Sequence, residues 1–227
     1  MLVHLPAVLS KDEVSKVRDL LERGAWVDGA ETAGEQAAKA KFNLQIREGS
    51  KTAVEAGEVI LRALARNPIF NSAALPMRVL PPLFNRYDVG MKFEDHVDGA
   101  IRMVVGAGIR MRADVSSTLF LTPPEDYEGG ELTVSDSYGS HKVKLPAGDM
   151  ILYPATSLHS VTPITRGSRW SSFFWTQSMV RDDGQRTLLY ELDKAIMDVR
   201  AELSDHNRAV VALTSHYHNL LRRWAEL

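Results

Sequence analysis

The sequence predicts an α+β protein with a mainly β core, helices in front of it and a helical unit behind it. Three observations carry that prediction. Helical periodicity runs to about residue 65, short strand-like runs between turn residues begin at about residue 76, and helical periodicity returns after Asp182-Asp183-Gly184. The chain is thereby divided into residues 1–75 as N-terminal helical support, 76–180 as core and 181–227 as a C-terminal helical unit.

Ser10-Lys11-Asp12-Glu13 has the form of a capping box, in which a serine caps a helix start and a glutamate three residues on returns the hydrogen bond. Val14, Val17, Leu20, Leu21 and Ala25 follow at helical spacing. Residues 29–41, rich in Ala, Gly, Glu and Lys, read as an exposed loop. A second helix is expected from about Thr52 to Ala65, stopped by Asn67-Pro68.

In the core, strands are expected at Phe84–Tyr87, Ser116–Leu121, Glu131–Val134, Lys142–Leu145, Met150–Tyr153, Ser160–Pro163 and Arg169–Gln177. Pro123-Pro124, Gly129-Gly130, Ala147-Gly148-Asp149 and Arg166-Gly167-Ser168 punctuate them. Many short strands at such spacing point to a β-sandwich or barrel, not to alternating βα units. Behind them, one apolar stripe runs from Leu188 to Leu203 and another from Val210 to Trp224, giving two antiparallel helices joined around Ser204–Asn207. Their stripes must be buried on the core, over the site or in a homo-oligomer contact.

Composition narrows the chemistry. The 227 residues contain no cysteine, which excludes disulfides, thiolate zinc, iron–sulfur clusters and a cysteine nucleophile. A net charge of -2 gives no reason to expect nucleic acid or an anionic membrane as partner. The N-terminus lacks a signal-peptide pattern and no run reaches the roughly 18 apolar residues of a membrane span. The expectation is a cytoplasmic protein.

Within the strand-rich region stands Glu94-Asp95-His96-Val97-Asp98-Gly99. Residues i and i+2 of a strand share a face, so His96 and Asp98 can aim an imidazole and a carboxylate at one point. His159, after the strand ending at Pro154, is the best third ligand of a two-His, one-carboxylate facial triad, which leaves iron(II) with open positions. Ten residues on, Arg169 opens a strand and offers a guanidinium to the far carboxylate of a chelating dicarboxylic 2-oxo acid. Ser171 shares its face, and Tyr87 offers a further polar contact. His4, His141, His206, His216 and His218 read as surface or structural histidines. Arg102, Arg110 and Arg112, between Ala100 and Asp114, would suit an acidic substrate, but a solvated loop is the favoured reading there.

The ordered runs Asn85-Arg86-Tyr87-Asp88-Val89-Gly90, His96-Val97-Asp98, Glu128-Gly129-Gly130-Glu131-Leu132, Gly148-Asp149-Met150-Ile151-Leu152-Tyr153-Pro154, His159-Ser160-Val161 and Gly167-Ser168-Arg169 resemble the prolyl 4-hydroxylase-like dioxygenases. More closely, the chain resembles the bacterial PKHD-type hydroxylases, whose catalytic domain is followed by a short helical region. The resemblance implies a double-stranded β-helix (jelly roll), His96, Asp98 and His159 as Fe(II) ligands, and Arg169 as the 2-oxoglutarate anchor. It also implies L-ascorbate as reductant, O2 and an unidentified small molecule or protein side chain as reactants, and a link with iron uptake. The expected reaction is hydroxylation coupled to conversion of 2-oxoglutarate to succinate and CO2. Two other readings share some of these residues: a cupin-like metalloenzyme that does not use 2-oxoglutarate, and a non-catalytic iron- or 2-oxoglutarate-sensing protein.

Overall fold

Strict alternation along the central strands sorts their side chains onto two faces with different work. On Arg169–Ser178, Trp170 and Phe174 point to one face, where they meet helices, while Arg169, Ser171, Phe173 and Trp175 point to the other, where they line a cavity. The same rule splits Leu83–Tyr87, with Phe84 on the helix side and Leu83, Asn85 and Tyr87 on the cavity side. The computed structural model describes residues 1–32, 40–104, 108–137 and 139–227.

These strands belong to an eight-stranded antiparallel sheet. Its order is Val3–Leu5, Met150–Pro154, Val115–Phe120, Arg169–Ser178, Leu83–Tyr87, Leu44–Ile46, Trp26–Asp28, and Pro76–Val79 also pairs with Arg169–Ser178. A second antiparallel sheet has the order Gly139–Val143, Leu132–Asp136, Leu158–Val161, Lys92–His96, Lys41–Phe42. Tyr87, Phe120, Ile151 and Tyr153 from the first sheet pack with Leu132, Val134 and Val161 from the second, joining the two.

The outer face of the larger sheet carries the helices. Helix α1 (Lys11–Glu22) starts with the expected capping box between Ser10 and Glu13 and buries Val17 and Leu21. Helix α2 (Lys51–Ala65) buries Ile60 and presents the small residues Ala53, Ala56, Gly57 and Ala63, which let the helix lie close to the core. Asn67-Pro68 does more than stop α2: Asn67 caps, and Pro68 opens, a further helix, α3 (Pro68–Ala74).

Helices α4 (Asp183–Glu202) and α5 (Arg208–Trp224), capped by Asp182 and Asn207, form the expected C-terminal pair. They pack on the core beside α3: Leu189 meets Leu75 and Val180, joined by Tyr217, Leu220, Leu221 and Trp224. Ser72 donates a hydrogen bond to Asp193, and the chain end returns so that Glu226 N–H reaches the Met179 carbonyl at 2.7 Å. Arg186, only 2% exposed, ties the junction by donating to the Val180 and Arg181 carbonyls and to Asp183.

Several local expectations shift. Strand Lys142–Leu145 is observed at Gly139–Val143, and Ser160–Pro163 at Leu158–Val161, which places His159 inside a strand. Ala100–Asp114 is not a plain loop: Ile101–Val104 and Ile109–Arg112 form an antiparallel pair, with residues 105–107 outside the described part. Of the loop expected over 29–41, residues 33–39 lie outside the described part, Gly29–Thr32 form a 3-10 turn and Lys41–Phe42 a strand. The N-terminal 75 residues therefore supply strands to both sheets as well as helices. No helix among the described residues is long and apolar enough to cross a membrane.

Candidate metal centre and co-substrate pocket

His96 and His159 are direct cross-strand partners in the smaller sheet, and their ring centroids lie 4.2 Å apart. Such pairing brings side chains on one face together without help from a loop. Asp98 arrives differently from the sequence expectation. The strand ends at His96, so Asp98 stands in the following irregular segment, held by a 2.6 Å hydrogen bond from Ser116 Oγ in the larger sheet. One ligand atom from each of the three residues lies within 4.8 Å of the others, and Asp98 Oδ2 is 3.7 Å from His159 Nε2.

The two imidazoles are set for coordination. His96 Nδ1 is 2.8 Å from the Glu94 carbonyl and His159 Nδ1 is 3.0 Å from the Ser157 carbonyl. A carbonyl only accepts, so Nδ1–H donates in both rings and each Nε2 keeps a free lone pair for a metal. Burial, then the neighbouring His159, pushes the His96 imidazole down to about 4, which keeps it neutral near pH 7. Phe93 stacks on the His96 ring at 3.5 Å between centroids and fixes its plane. Two neutral imidazoles and a carboxylate on one side of a point fit a divalent cation such as iron(II). Among the described residues, no other group of three His, Cys, Asp or Glu side chains converges in this way.

Arg169 is 1% exposed, yet no carboxylate pairs with it among the described residues. Its Nη1 donates to Ser171 Oγ at 2.8 Å, and Ser171 in turn donates to Asn85 Oδ1 at 2.5 Å. Its Nε is buried without an acceptor, and the buried Tyr127 hydroxyl lies near it outside good hydrogen-bond geometry. Tyr87, fully buried opposite Arg169 in the strand register, holds its ring 5.4 Å from the guanidinium carbon. Its phenol is pushed up by burial and stays protonated. A buried cation with an unfilled donor is costly by itself and fits an anionic guest. Gly130 makes room for it: at φ +67° the residue passes so close that a Cβ would stand 3.1 Å from Arg169 Cδ. Those glycines therefore do more than form a turn.

His96, Asp98, His159 and Arg169 all line one cavity of about 780 Å³ between the sheets, with Tyr87 and Ser171 beside Arg169. Residues of α4 and α5 do not line it. Sequence reasoning missed Ser116, Phe93, Asn85 and Lys41, all of which line it. The Lys41 amine is pushed down to about 8 by burial, then by Arg102. A serine in an alternating strand carries no signal of its own; only the run Ser116-Ser117-Thr118, polar in a fully buried strand, hinted at a polar lining. The remaining histidines stay away from the site. His4 bonds Asp149 at 2.7 Å, His141 lies 3.3 Å from Asp136, and His206, His216 and His218 are exposed.

Comparison with known proteins matches this architecture to one class. Residues 82–177 match the model of the 2OG-Fe(II) oxygenase superfamily, and residues 183–226 match the PKHD-type hydroxylase C-terminal domain. Solved structures with the same fold include a Pseudomonas putida prolyl-4-hydroxylase (TM-score 0.52, 19% identity, 78% of this chain and 92% of that one). A Trichoplax adhaerens prolyl hydroxylase in complex with a hypoxia inducible factor peptide fragment aligns with TM-score 0.58 at 14% identity, over 82% and 86% of the two chains. PKHD-type hydroxylases of Methylobacterium nodulans and Gluconobacter oxydans are 68% and 66% identical over the whole of both chains. The chain belongs to the PKHD-type hydroxylases, enzymes of the 2-oxoglutarate–Fe(II) oxygenase superfamily.

Proposed function

We propose that His96, Asp98 and His159 hold iron(II), that Arg169 anchors 2-oxoglutarate, and that the enzyme hydroxylates a substrate seated in the same cavity. One observation supports this above the others. Three ligand atoms converge within 4.8 Å in the cavity that also holds a buried arginine with no carboxylate partner among the described residues. The bound iron would activate O2, driven by conversion of 2-oxoglutarate to succinate and CO2.

The protein's own groups do the positioning. The Glu94 and Ser157 carbonyls hold the imidazole tautomers, and Ser116 holds the Asp98 carboxylate. Arg169 pairs the far carboxylate of the co-substrate, with Ser171 and Asn85 fixing the guanidinium and Tyr87 closing over it. Buried aromatic residues around the cavity exclude water from the reacting centre. In this reading the two sheets are a double-stranded β-helix, residues 1–75 support the 76–180 catalytic core, and 181–227 form a separate helical unit. L-Ascorbate is the reductant that restores Fe(II). The cytoplasm as compartment and a link with iron uptake rest on the sequence resemblance. Self-association through α4 and α5 rests on the sequence reading of their apolar stripes alone.

Anaerobic addition of Fe(II) and then 2-oxoglutarate tests the reading. A weak visible charge-transfer band is expected in the wild type, and Arg169→Ala should bind the metal while losing the band at the same 2-oxoglutarate concentration. A wild type without the band, or an Arg169→Ala variant with unchanged 2-oxoglutarate affinity, would overturn it.

A further inference from the structure

The arginines between Ala100 and Asp114 are sorted by the structure into three different situations. Arg112 is paired, its Nε 2.6 Å from Asp114 Oδ1. Arg110 is exposed and away from the cavity. Arg102 alone lines it, with the guanidinium carbon 4.0 Å above the Trp175 ring.

We propose that Arg102 is the receptor for an anionic group of the substrate, so that the hydroxylated molecule carries a carboxylate or phosphate near its reacting C–H bond. The proposal rests on the cavity being the active site. Position is the first argument. Arg102 follows Asp98 by four residues, and its Nη1 lies 3.9 Å from where a Cβ would stand on Gly99, the residue next to the Asp98 ligand. An anion held there lies beside the metal.

Donor geometry is the second. Stacking on Trp175 fixes the guanidinium plane and leaves its edge N–H groups available. Arg102 makes no hydrogen bond or ion pair among the described residues, although burial disfavours its charge. The indole Nε1 of Trp175, itself 6% exposed, is also buried without an acceptor. An oxyanion offers acceptors to both donors at once.

Charge is the third. Iron(II), Asp98, the two carboxylates of 2-oxoglutarate and Arg169 neutralise one another, so the co-substrate leaves Arg102 with the half-buried Glu48, beyond ion-pair distance, as its remaining acidic neighbour. Lys41 in the same cavity wall adds a second positive charge. Val97, Ile101 and Leu158, exposed and apolar at the cavity edge, suit the hydrocarbon part of such a molecule.

The test uses the full-length protein loaded anaerobically with Fe(II) and saturating 2-oxoglutarate, so that Arg169 is already occupied. Hexanoate, hexyl phosphate and the neutral hexanamide are titrated in, read by tryptophan fluorescence and by the shift of the visible band. The anions should bind at least about tenfold more tightly than the amide, the effect of a hydrogen bond to a charged group. The ranking of hexanoate and hexyl phosphate tells carboxylate from phosphate. Arg102→Met should erase the preference, Arg102→Lys should keep part of it, and Arg110→Ala should leave it intact. If Arg102→Met does not fold, Arg102→Gln must erase the preference in its place. Equal affinity for anions and amide, no anion binding up to the solubility limit, or a preference surviving loss of the Arg102 charge would overturn the proposal. Failure of the visible band in the wild type would instead overturn the iron and 2-oxoglutarate reading, while fluorescence still reports on Arg102.

Discussion

Single hydrogen bonds decide how well the triad is set. Ser116 Oγ sits 2.6 Å from the oxygen of Asp98 that also faces His159, and it comes from the opposite sheet. Removing it frees the carboxylate to rotate, because Asp98 has no strand to hold it. Ser116→Ala should weaken metal binding about tenfold or more, the usual effect of losing a ligand's supporting partner. Titration with Fe(II) under argon measures this, and an unchanged affinity would show that Asp98 is oriented by other means. His96 carries a pH signature. Its imidazole is held at about 4 in the fold, against an ordinary value of 6.5. Between those values the unfolded chain binds a proton that the folded chain does not, so stability falls as pH drops through that window. Denaturation midpoints of the metal-free protein should decline from about pH 6.5 to about pH 4, and His96→Gln should flatten that decline. At this scale, the residues proposed to carry the chemistry were legible in the sequence by spacing and order, and the fold brings His96, Asp98, His159 and Arg169 to one cavity. Ser116, Lys41 and the Arg102–Trp175 stack were not, since their roles depend on which strands pass near one another.

Elements were legible in proportion to their length. The ten-residue strand Arg169–Ser178 and the two C-terminal helices carry enough periodicity to be read directly. Val3–Leu5, Trp26–Asp28 and Lys41–Phe42 are two or three residues long, too short for any alternation, and are strands only because a neighbour pairs with them. The docking of α4 was also beyond reach, because an apolar stripe says that a face is buried and not against what. The observed contact gives a direct prediction. Leu189 is fully buried between Leu75 and Val180, so Leu189→Ala should cost roughly 2–5 kcal/mol if the cavity does not collapse. Chemical denaturation measures the cost. Because α4 and α5 do not line the cavity proposed to hold the co-substrate, 2-oxoglutarate affinity should be unaltered, and a parallel loss would mean that the C-terminal pair supports the site as well as the fold.

For the molecule as a whole, the larger sheet separates a packing face from a cavity face. Its outer face packs Trp170, Phe174, Phe84 and Leu119 against α1, α2 and α3, and every one of those side chains is apolar. Its inner face places Arg169, Ser171, Asn85 and Ser116 where a packing-only design would put aliphatic groups. Arg169 is the extreme case, a cation with Nε unpaired among the described residues, and such burial opposes folding unless an anion compensates it. Replacing it with an apolar chain of similar reach should therefore separate the two demands. Arg169→Met without ligands should melt at or above the wild-type temperature. Wild type loaded with metal should gain about 2.7 kcal/mol at a 2-oxoglutarate concentration a hundredfold above its Kd, and Arg169→Met should gain nothing at that concentration. Paired thermal melts with and without 2-oxoglutarate read both effects. A variant that is less stable when empty would assign Arg169 to the structural framework, whereas one that is more stable and unresponsive identifies its charge as a cost the fold carries for the co-substrate.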